Sequence, residues 1–371
     1  MNQTVVSYLS QYEFYDFLLA LFRNNQGVLA FTLYLLLALI IVGMCATIGG
    51  LGTYAERKIS ADLQARIGPN RVGPYGLLQM LADGVKMMTK EDIMPFTADK
   101  KLFYLAPLLC LTGVFATLAV LPFSSGFIMA DLNVGIFYLV AISSLVGLGV
   151  FLGGYASNSK WSMLGGMRGA SQIISYEIPV TISILAIVLL AGGMGFGTIV
   201  GRQGGLPHEW FMFHNPFAFI AFFVYSVGAL AETNRAPFDL PEAESELVSG
   251  YHTEYTGMRF GFFALAEYIE VFVVCGVAAS LFLGGYNVPG IKLDILPMQA
   301  AQFVIFMTKT LVLYYVVIWI RWTLPRLRVD QLMSVCWKYL TPIAIFNLMG
   351  CAIWMVVFNG KSIAELVLGS H

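Results

Sequence analysis

Apolar residues gather in eight runs, near 28–53, 103–121, 136–155, 173–192, 215–231, 260–283, 299–321 and 335–358. A helix rises 1.5 Å per residue, so an apolar run of about 20 residues is what crosses the hydrocarbon of a bilayer. No run alternates apolar and polar positions with the period of a strand. The fold class that follows is all-α, a polytopic membrane protein with about eight transmembrane helices. The run at 173–192 carries Glu177 and Pro179 near its start. Between the first two runs, Leu77 to Met88 (LLQMLADGVKMM) reads as an amphipathic helix lying along the interface. Its Asp83 and Lys86 are i,i+3 neighbours, a spacing at which opposite charges pair. No internal repeat is evident, so the inverted-repeat pattern of transporters is not supported.

Composition sharpens this picture. Only 12% of the 371 residues are charged, against about 25% in a soluble domain. Residues 1–371 read as a single integral membrane domain, with an N-terminal extension (1–27), a first loop (54–102) and an acidic loop (232–259). The formal net charge of -1 offers no basic surface to nucleic acid. Cys45, Cys110, Cys275, Cys336 and Cys351 are scattered through apolar stretches without a CxxC, so they read as small buried hydrophobes rather than cluster or zinc ligands. The N-terminus has no basic region and carries Glu13 and Asp16, which argues against a cleavable signal peptide. Basic residues favour the odd loops. The first holds Arg57, Lys58, Arg66, Arg71, Lys86, Lys90, Lys100 and Lys101, whereas the second has no base and the fourth and sixth have one each, Arg202 and Lys292. The positive-inside rule then puts the odd loops in the cytoplasm and both termini outside.

Candidate chemistry lies at the boundaries of the spans. The segment Ala231 to Gly250 (AETNRAPFDLPEAESELVSG) sets Glu232, Asp239, Glu242, Glu244 and Glu246 against a single base, Arg235. Carboxylates at a membrane boundary are costly unless hydrated, paired or protonated, which points to handling of protons or cations. If the segment is helical, Glu242 and Glu246 share a side and Glu244 faces away; Pro237 and Pro241 oppose a helix before Glu242. A plain solvated acidic face is the alternative, although it accounts poorly for the interleaved Ala236, Phe238 and Leu240. Glu177 sits at a span start. Glu267 and Glu270 are three residues apart in the sixth span and share a face. Lys309 is the one base within a span core, available to counter an acid or join a relay. In the first loop, Glu56, Arg57 and Lys58 stand where the first span leaves lipid. Ala65 to Pro74 (ARIGPNRVGP) is a stiff turn that fixes arginines, or a plain connection. Asp83 is either half of a pair with Lys86 or a carboxylate turned into a cavity.

No P-loop occurs, and His208, His214, His252 and His371 have no metal-binding spacing. Redox chemistry therefore has to come from another chain.

The segments AERK (55–58), ARIGPNRVGP (65–74), LADGVK (81–86), SYE (175–177), AETNRAPFDLPEAESELVSGYHTEY (231–255), AEY (266–268) and IRWTLPRLRVDQLM (320–333) together resemble one family. It is the H-type membrane subunit of the proton-pumping NADH:quinone oxidoreductase, respiratory complex I, the counterpart of mitochondrial NADH dehydrogenase subunit 1. The resemblance implies a subunit, not active alone, that forms the membrane part of a quinone chamber and couples quinone reduction to proton translocation. It places Arg57, Arg66 and Arg321 along the quinone cavity, with Glu56 and Asp83 near it. Glu177, Glu232, Glu242, Glu244, Glu246, Glu254 and Glu267 match the family's acidic funnel, and Glu270 and Lys309 are assigned beside it. Quinone is the implied substrate, and the chain itself holds no metal or iron–sulfur cluster. The implied partners are the cluster-bearing B-type and the D-type peripheral-arm subunits, the small membrane-arm subunits and membrane lipid. The implied location is the bacterial inner membrane. The rival readings are a related subunit of a quinone-linked or ferredoxin-linked dehydrogenase or hydrogenase, a structural anchor for the peripheral arm, and a stand-alone cation/proton antiporter.

Overall fold

The computed structural model describes residues 26–288, 296–358 and 360–363. Most of the N-terminal extension, together with Lys292 and His371, lies outside these residues. The chain divides into two compact units, Met1–Thr47 and Ile48–His371. Every described element is helical. In chain order the main ones are α1 (Gln26–Leu63), α2 (Gln79–Thr89), α3 (Lys100–Val120), α4 (Gly135–Ala156), α5 (Lys160–Ala191), α6 (Pro216–Glu232), α7 (Gly257–Phe282), α8 (Leu296–Thr323) and α9 (Val329–Val357).

Among the described residues, seven helices are long and apolar enough to cross a membrane. The eighth expected span is α6. Its 17 residues reach about 26 Å, the short end of what crosses. Asn215 fixes where it begins, since its side chain accepts the Ala218 N–H at 2.5 Å and Pro216 occupies the first turn, where no donor is needed. Asp99 caps α3 in the same way, accepting from Lys101 N and Leu102 N.

Two spans run longer than their apolar runs. α1 continues through Leu63, so Glu56 and Arg57 sit inside a helix and not at its exit. α5 begins at Lys160, which puts Glu177 in mid-helix. Pro179 does not break α5. It removes the donor that would satisfy the Ser175 carbonyl, and the Cys336 thiol of α9 donates to that oxygen at 3.0 Å instead.

α3 packs on α4, α4 on α5, α5 on α6, and α7 closes back against α3 and touches α6. These five helices form a ring. Close approach rests on small residues, as membrane interfaces favour: a Cβ at Gly154 would lie 2.9 Å from the Gly166 Cα. α8 packs on α7, and α9 packs on α5 and α6. α2 lies against α7 and buries none of its residues. Leu81, Val85 and Met88 are exposed along one side of it, while Asp83 and Lys86 occupy another. This is the interfacial amphipathic helix that the pattern at 77–88 predicts. All five cysteines are buried free thiols.

Candidate functional site

Glu56 is the most deeply buried carboxylate among the described residues, with 7% of its surface exposed. Its Oε2 accepts from Arg235 Nη1 at 2.9 Å, and its Oε1 pairs with Arg321 Nη1. Arg235 is as deeply buried, and its guanidinium lies 4.2 Å from the centre of the Tyr268 ring. Burial would disfavour this cation, but Glu56 more than offsets that and raises the Arg235 pKa further, with smaller contributions from Tyr268, Glu267 and Tyr314. The cluster ties α1, α7, α8 and the acidic loop together.

The neighbouring Arg57 points elsewhere. It pairs with Asp83 of α2, which also lies 3.8 Å from Lys86. Arg57 and Arg66 line an open groove of 830 Å³ with the Ile67–Arg71 turn and Gln79. The candidate quinone residues thus fall into an interior pair, Glu56 and Arg321, and a rim set, Arg57, Arg66 and Asp83. Because the side chain of Arg57 is half-exposed, Arg57→Ala is expected to change stability by about 1 kcal/mol or less. Thermal inactivation of the membranes checks this: a drop as large as that from a buried pair would show that the rim is closed off from solvent.

The acidic loop is held from behind by one amide. Gln172 Nε2 on α5 donates to Phe238 O at 2.7 Å and Ala231 O at 2.8 Å, with Asn234 Oδ1 at 3.2 Å. Within the loop, Asp239 pairs with Arg326 at 2.8 Å. Burial pushes the Asp239 carboxyl up, and Arg326 opposes the shift. Glu242 faces Glu267 of α7: burial raises the Glu242 carboxyl, its contact with Glu267 lowers it, and the Asp239 charge raises it again. Tyr251 donates its hydroxyl to Glu267 Oε1 at 2.9 Å, and His252 Nδ1 lies 3.5 Å from Glu242 Oε1.

Deeper in the ring, Glu177 of α5, Glu232 of α6 and Glu270 of α7 line one cavity of 40 Å³, with Thr117, Ser143 and Thr181 on its wall. That space suits about three waters. Glu232 lies within electrostatic range of Glu270 and Glu177, and Glu270 within range of Glu267. The order of acids from the loop inward is therefore Glu242, Glu267, Glu270, then Glu232 and Glu177.

Several expectations need correction. The helix in the acidic loop covers only Glu244–Leu247, so Glu242 is outside it and shares no helical face with Glu246; Pro241 and the turn at Gly250 leave room for no more. Glu246 pairs with Arg168 at 2.6 Å on a half-exposed surface, away from the Glu242–Glu267 contact. Glu244 belongs to the short helix, and its side chain lies outside the described residues. Glu254 is half-buried in the turn before α7 and has no ion pair among the described residues. Among the described residues, Lys309 pairs with no acid. Its Nζ donates to the Leu283 and Gly285 carbonyls at 2.7 and 2.9 Å and sits over Trp210, so it caps the far end of α7. Glu267 and Glu270 share a helix, yet one faces the loop and the other the cavity.

Arg235, Gln172, Tyr251 and Tyr268 are the functional candidates that the sequence did not single out for a site. Only Arg235 left a signal, as the one base within a run of carboxylates. A family profile described as NADH dehydrogenase matches residues 35–352. The chain is also similar to bacterial proteins named as the H subunit of NADH-quinone oxidoreductase. That of Anaeromyxobacter dehalogenans is 45% identical over 350 residues, covering 90% of this chain and 85% of the relative. That of Chlorobaculum tepidum is 48% identical over 316 residues, covering 82% and 87%. The Bacillus cytotoxicus protein is 49% identical over 298 residues, covering 80% and 86%.

Proposed function

This chain belongs to the NADH dehydrogenase family, and from that premise we propose that it is the H-type membrane subunit of a proton-translocating NADH:quinone oxidoreductase. In this reading it forms the membrane part of the quinone chamber and passes the consequence of quinone reduction into the membrane through its carboxylates. The observation that carries the proposal is the continuous sequence of ionisable groups from the Glu56–Arg235–Arg321 cluster, through Glu242 and Glu267, to the cavity of Glu270, Glu232 and Glu177.

The chemistry follows from charge. Reduction of a quinone builds negative charge on its oxygens and draws protons to them. Arginines at the rim, Arg57 and Arg66, orient an oxygen-bearing headgroup and stabilise that charge. Arg235 and Arg321 transmit it to Glu56 and to Glu267. Two carboxyls in contact respond to a nearby charge by shifting their protonation, and each pKa unit of response corresponds to about 1.4 kcal/mol. The Glu242–Glu267 pair is the natural first responder and the inner cavity the second. Glu244, Glu246 and Glu254 belong to the same acidic segment, with Glu246 on its exposed surface. Electrons are supplied by the cluster-bearing B-type subunit, the D-type subunit completes the chamber, and the small membrane-arm subunits receive the signal. The odd loops face the cytoplasm of a bacterial cell, with both termini on the other side of the inner membrane.

Glu232→Gln tests the coupling. The assembled complex, verified on a native gel and reconstituted in liposomes, is expected to lose quinone reduction and proton pumping together. Electron transfer from NADH to a water-soluble acceptor should persist. Wild-type quinone reduction and pumping in this variant would rule out an obligatory role for the inner carboxylates and favour a subunit that only anchors the peripheral arm.

A further inference from the structure

His252 lies in the single 3-10 turn Gly250–His252, between the acidic loop and α7, and is buried. Its Nδ1 stands 3.5 Å from Glu242 Oε1. That is slightly long for a hydrogen bond and too close for a water to stand between. The imidazole is nearly perpendicular to the Tyr251 ring, with centroids 4.8 Å apart, and steeply inclined to the Phe260 ring of α7 at 5.2 Å. The turn is closed on the acidic loop. Gly250 has φ of 60° and comes so near the Pro241 carbonyl, one residue before Glu242, that a Cβ would collide with it. Thr253 Oγ1 donates to Gly250 O at 2.7 Å and tightens the turn from the other side. Packing thus sets both the position and the plane of the ring, with one nitrogen at one carboxyl oxygen.

The charged groups around this turn single out Glu242 as the partner. α4 packs on the turn and has no charged residue along its length. α5 also packs there, but its Arg168 is engaged by Glu246, its Glu177 lines the inner cavity and its Lys160 stands at the helix start. On α7, Arg259 pairs with Asp92 at 2.8 Å, Glu270 faces the cavity, and Glu267 lies within electrostatic range of His252. Glu254 follows two residues later in the chain, and the Tyr251 hydroxyl is given to Glu267. Burial raises the Glu242 carboxyl, and Arg235 and Arg321 are among the groups that lower it. The proton affinity of Glu242 therefore depends on two arginines of the Glu56 cluster, while its nearest exchange partner is an imidazole.

We propose that His252 is the proton donor to Glu242, an imidazolium that gives up its Nδ1 proton when quinone reduction brings negative charge towards Arg235 and Arg321. The inference rests on the coupling role proposed above and adds the source of the first proton to move. At rest the imidazolium and the Glu242 carboxylate form an ion pair, which the two arginines favour by stabilising the carboxylate. Negative charge arriving beside those guanidiniums cancels that support, and Glu242 binds a proton more tightly. The Nδ1–H bond of His252 then breaks and an O–H bond forms on Glu242 Oε1. Both groups become neutral, so the buried site is left with no unpaired charge. When the reduced quinone is itself protonated and its charge disappears, the proton returns to Nδ1. An imidazole changes charge between about pH 5 and 8, which suits it to this exchange.

The pH dependence of quinone reduction by the assembled complex in native membranes tests this. In the wild type the rate at saturating quinone should fall as pH rises through an ionisation between about pH 6 and 8, because the donor is lost. That ionisation should move to lower pH on warming, as an imidazole's does and a carboxyl's does not. His252→Asn keeps an amide nitrogen near the Nδ1 position but cannot carry the proton. Per assembled complex it should lower the rate by about tenfold or more at the acid end of that range, flatten the profile and leave KM for quinone unchanged. A side chain that only fills space would alter the quantity of complex on a native gel and leave the shape of the profile alone. A His252→Asn complex that keeps the wild-type ionisation overturns the proposal. Should too little of that variant assemble to measure, the absence of a temperature-dependent ionisation in the wild type overturns it as well. Glu232→Gln separates this proposal from the reading beneath it. Wild-type reduction and pumping in that variant remove the coupling role itself, whereas their loss beside an unchanged profile in His252→Asn removes only the donor.

Discussion

Membranes whose H-type chain carries Glu56→Gln are expected to contain little assembled complex, and what assembles should inactivate well below the wild-type temperature. Among the described residues, Glu56 is the sole carboxylate bonded to the Arg235 and Arg321 guanidiniums, and Arg235 is buried with its Nε and Nη2 already lacking partners there. Removing one member of a buried ion pair costs roughly 3–5 kcal/mol, because the charge left behind has no solvent. Here two cations are left. They would face each other around a neutral amide that can accept from one of them and has no charge to set against either. The loss reaches four elements at once, since α1, α7, α8 and the acidic loop meet at this point. Arg57, one residue further along α1, makes a half-exposed pair and should be nearly silent. Inactivation temperatures of the two variants, measured in the same membranes, make the comparison. Equal and small effects would mean that the Glu56 cluster is hydrated and does not hold the fold.

How far the sequence foretells this site depends on the range of the interaction. The spans were legible because apolar length is a local property, and even the short α6 announces itself through Asn215 and Pro216. Helix ends were less so. Nothing in 54–63 is apolar enough to continue a span, yet α1 runs on because Glu56 finds its arginines 179 and 265 residues away. A proline such as Pro179 opposes a continuous helix, and the distant Cys336 thiol satisfies the carbonyl it leaves without a donor. The acids were all visible as residue types in apolar surroundings. Their division between loop and cavity was not, because three residues along a helix turn a side chain through enough of an arc to separate the partners of Glu267 from those of Glu270. Lys309 fails in the same way. A lone base among acids invites pairing, but its partners are two carbonyls, which have no signature in a sequence. Gln172 is the extreme case: three acceptors 59 to 66 residues away converge on one amide, and no local pattern marks it.

Among the described glycines, Gly250→Ala should add the most damaging single methyl group. Gly250 adopts φ of 60°, a conformation that costs an L-residue roughly 1–2 kcal/mol. The larger penalty is spatial. A Cβ there would collide with the Pro241 carbonyl oxygen and lie 3.0 Å from the Glu242 Cα. Both are backbone atoms, so no rotamer relieves the contact. On the other side, α5 already approaches so closely that a Cβ at Gly165 would stand 2.7 Å from Tyr251 N. The loop must therefore open between 241 and 250, with a total cost on the order of 3 kcal/mol or more. Glu242 and Tyr251 flank that closure and both contact Glu267, so both partners of the α7 carboxylate move together. Quinone reduction by the assembled complex should fall more steeply than the quantity of complex. Gly257→Ala supplies the control. Its φ is 59°, but the nearest atom to an added Cβ is the Lys90 carbonyl oxygen at 3.3 Å, so it bears the conformational cost almost alone. If the two variants keep the same quinone reductase activity per assembled complex, the closure at Gly250 does not set the position of Glu242, and the loop reaches Glu267 by some other constraint.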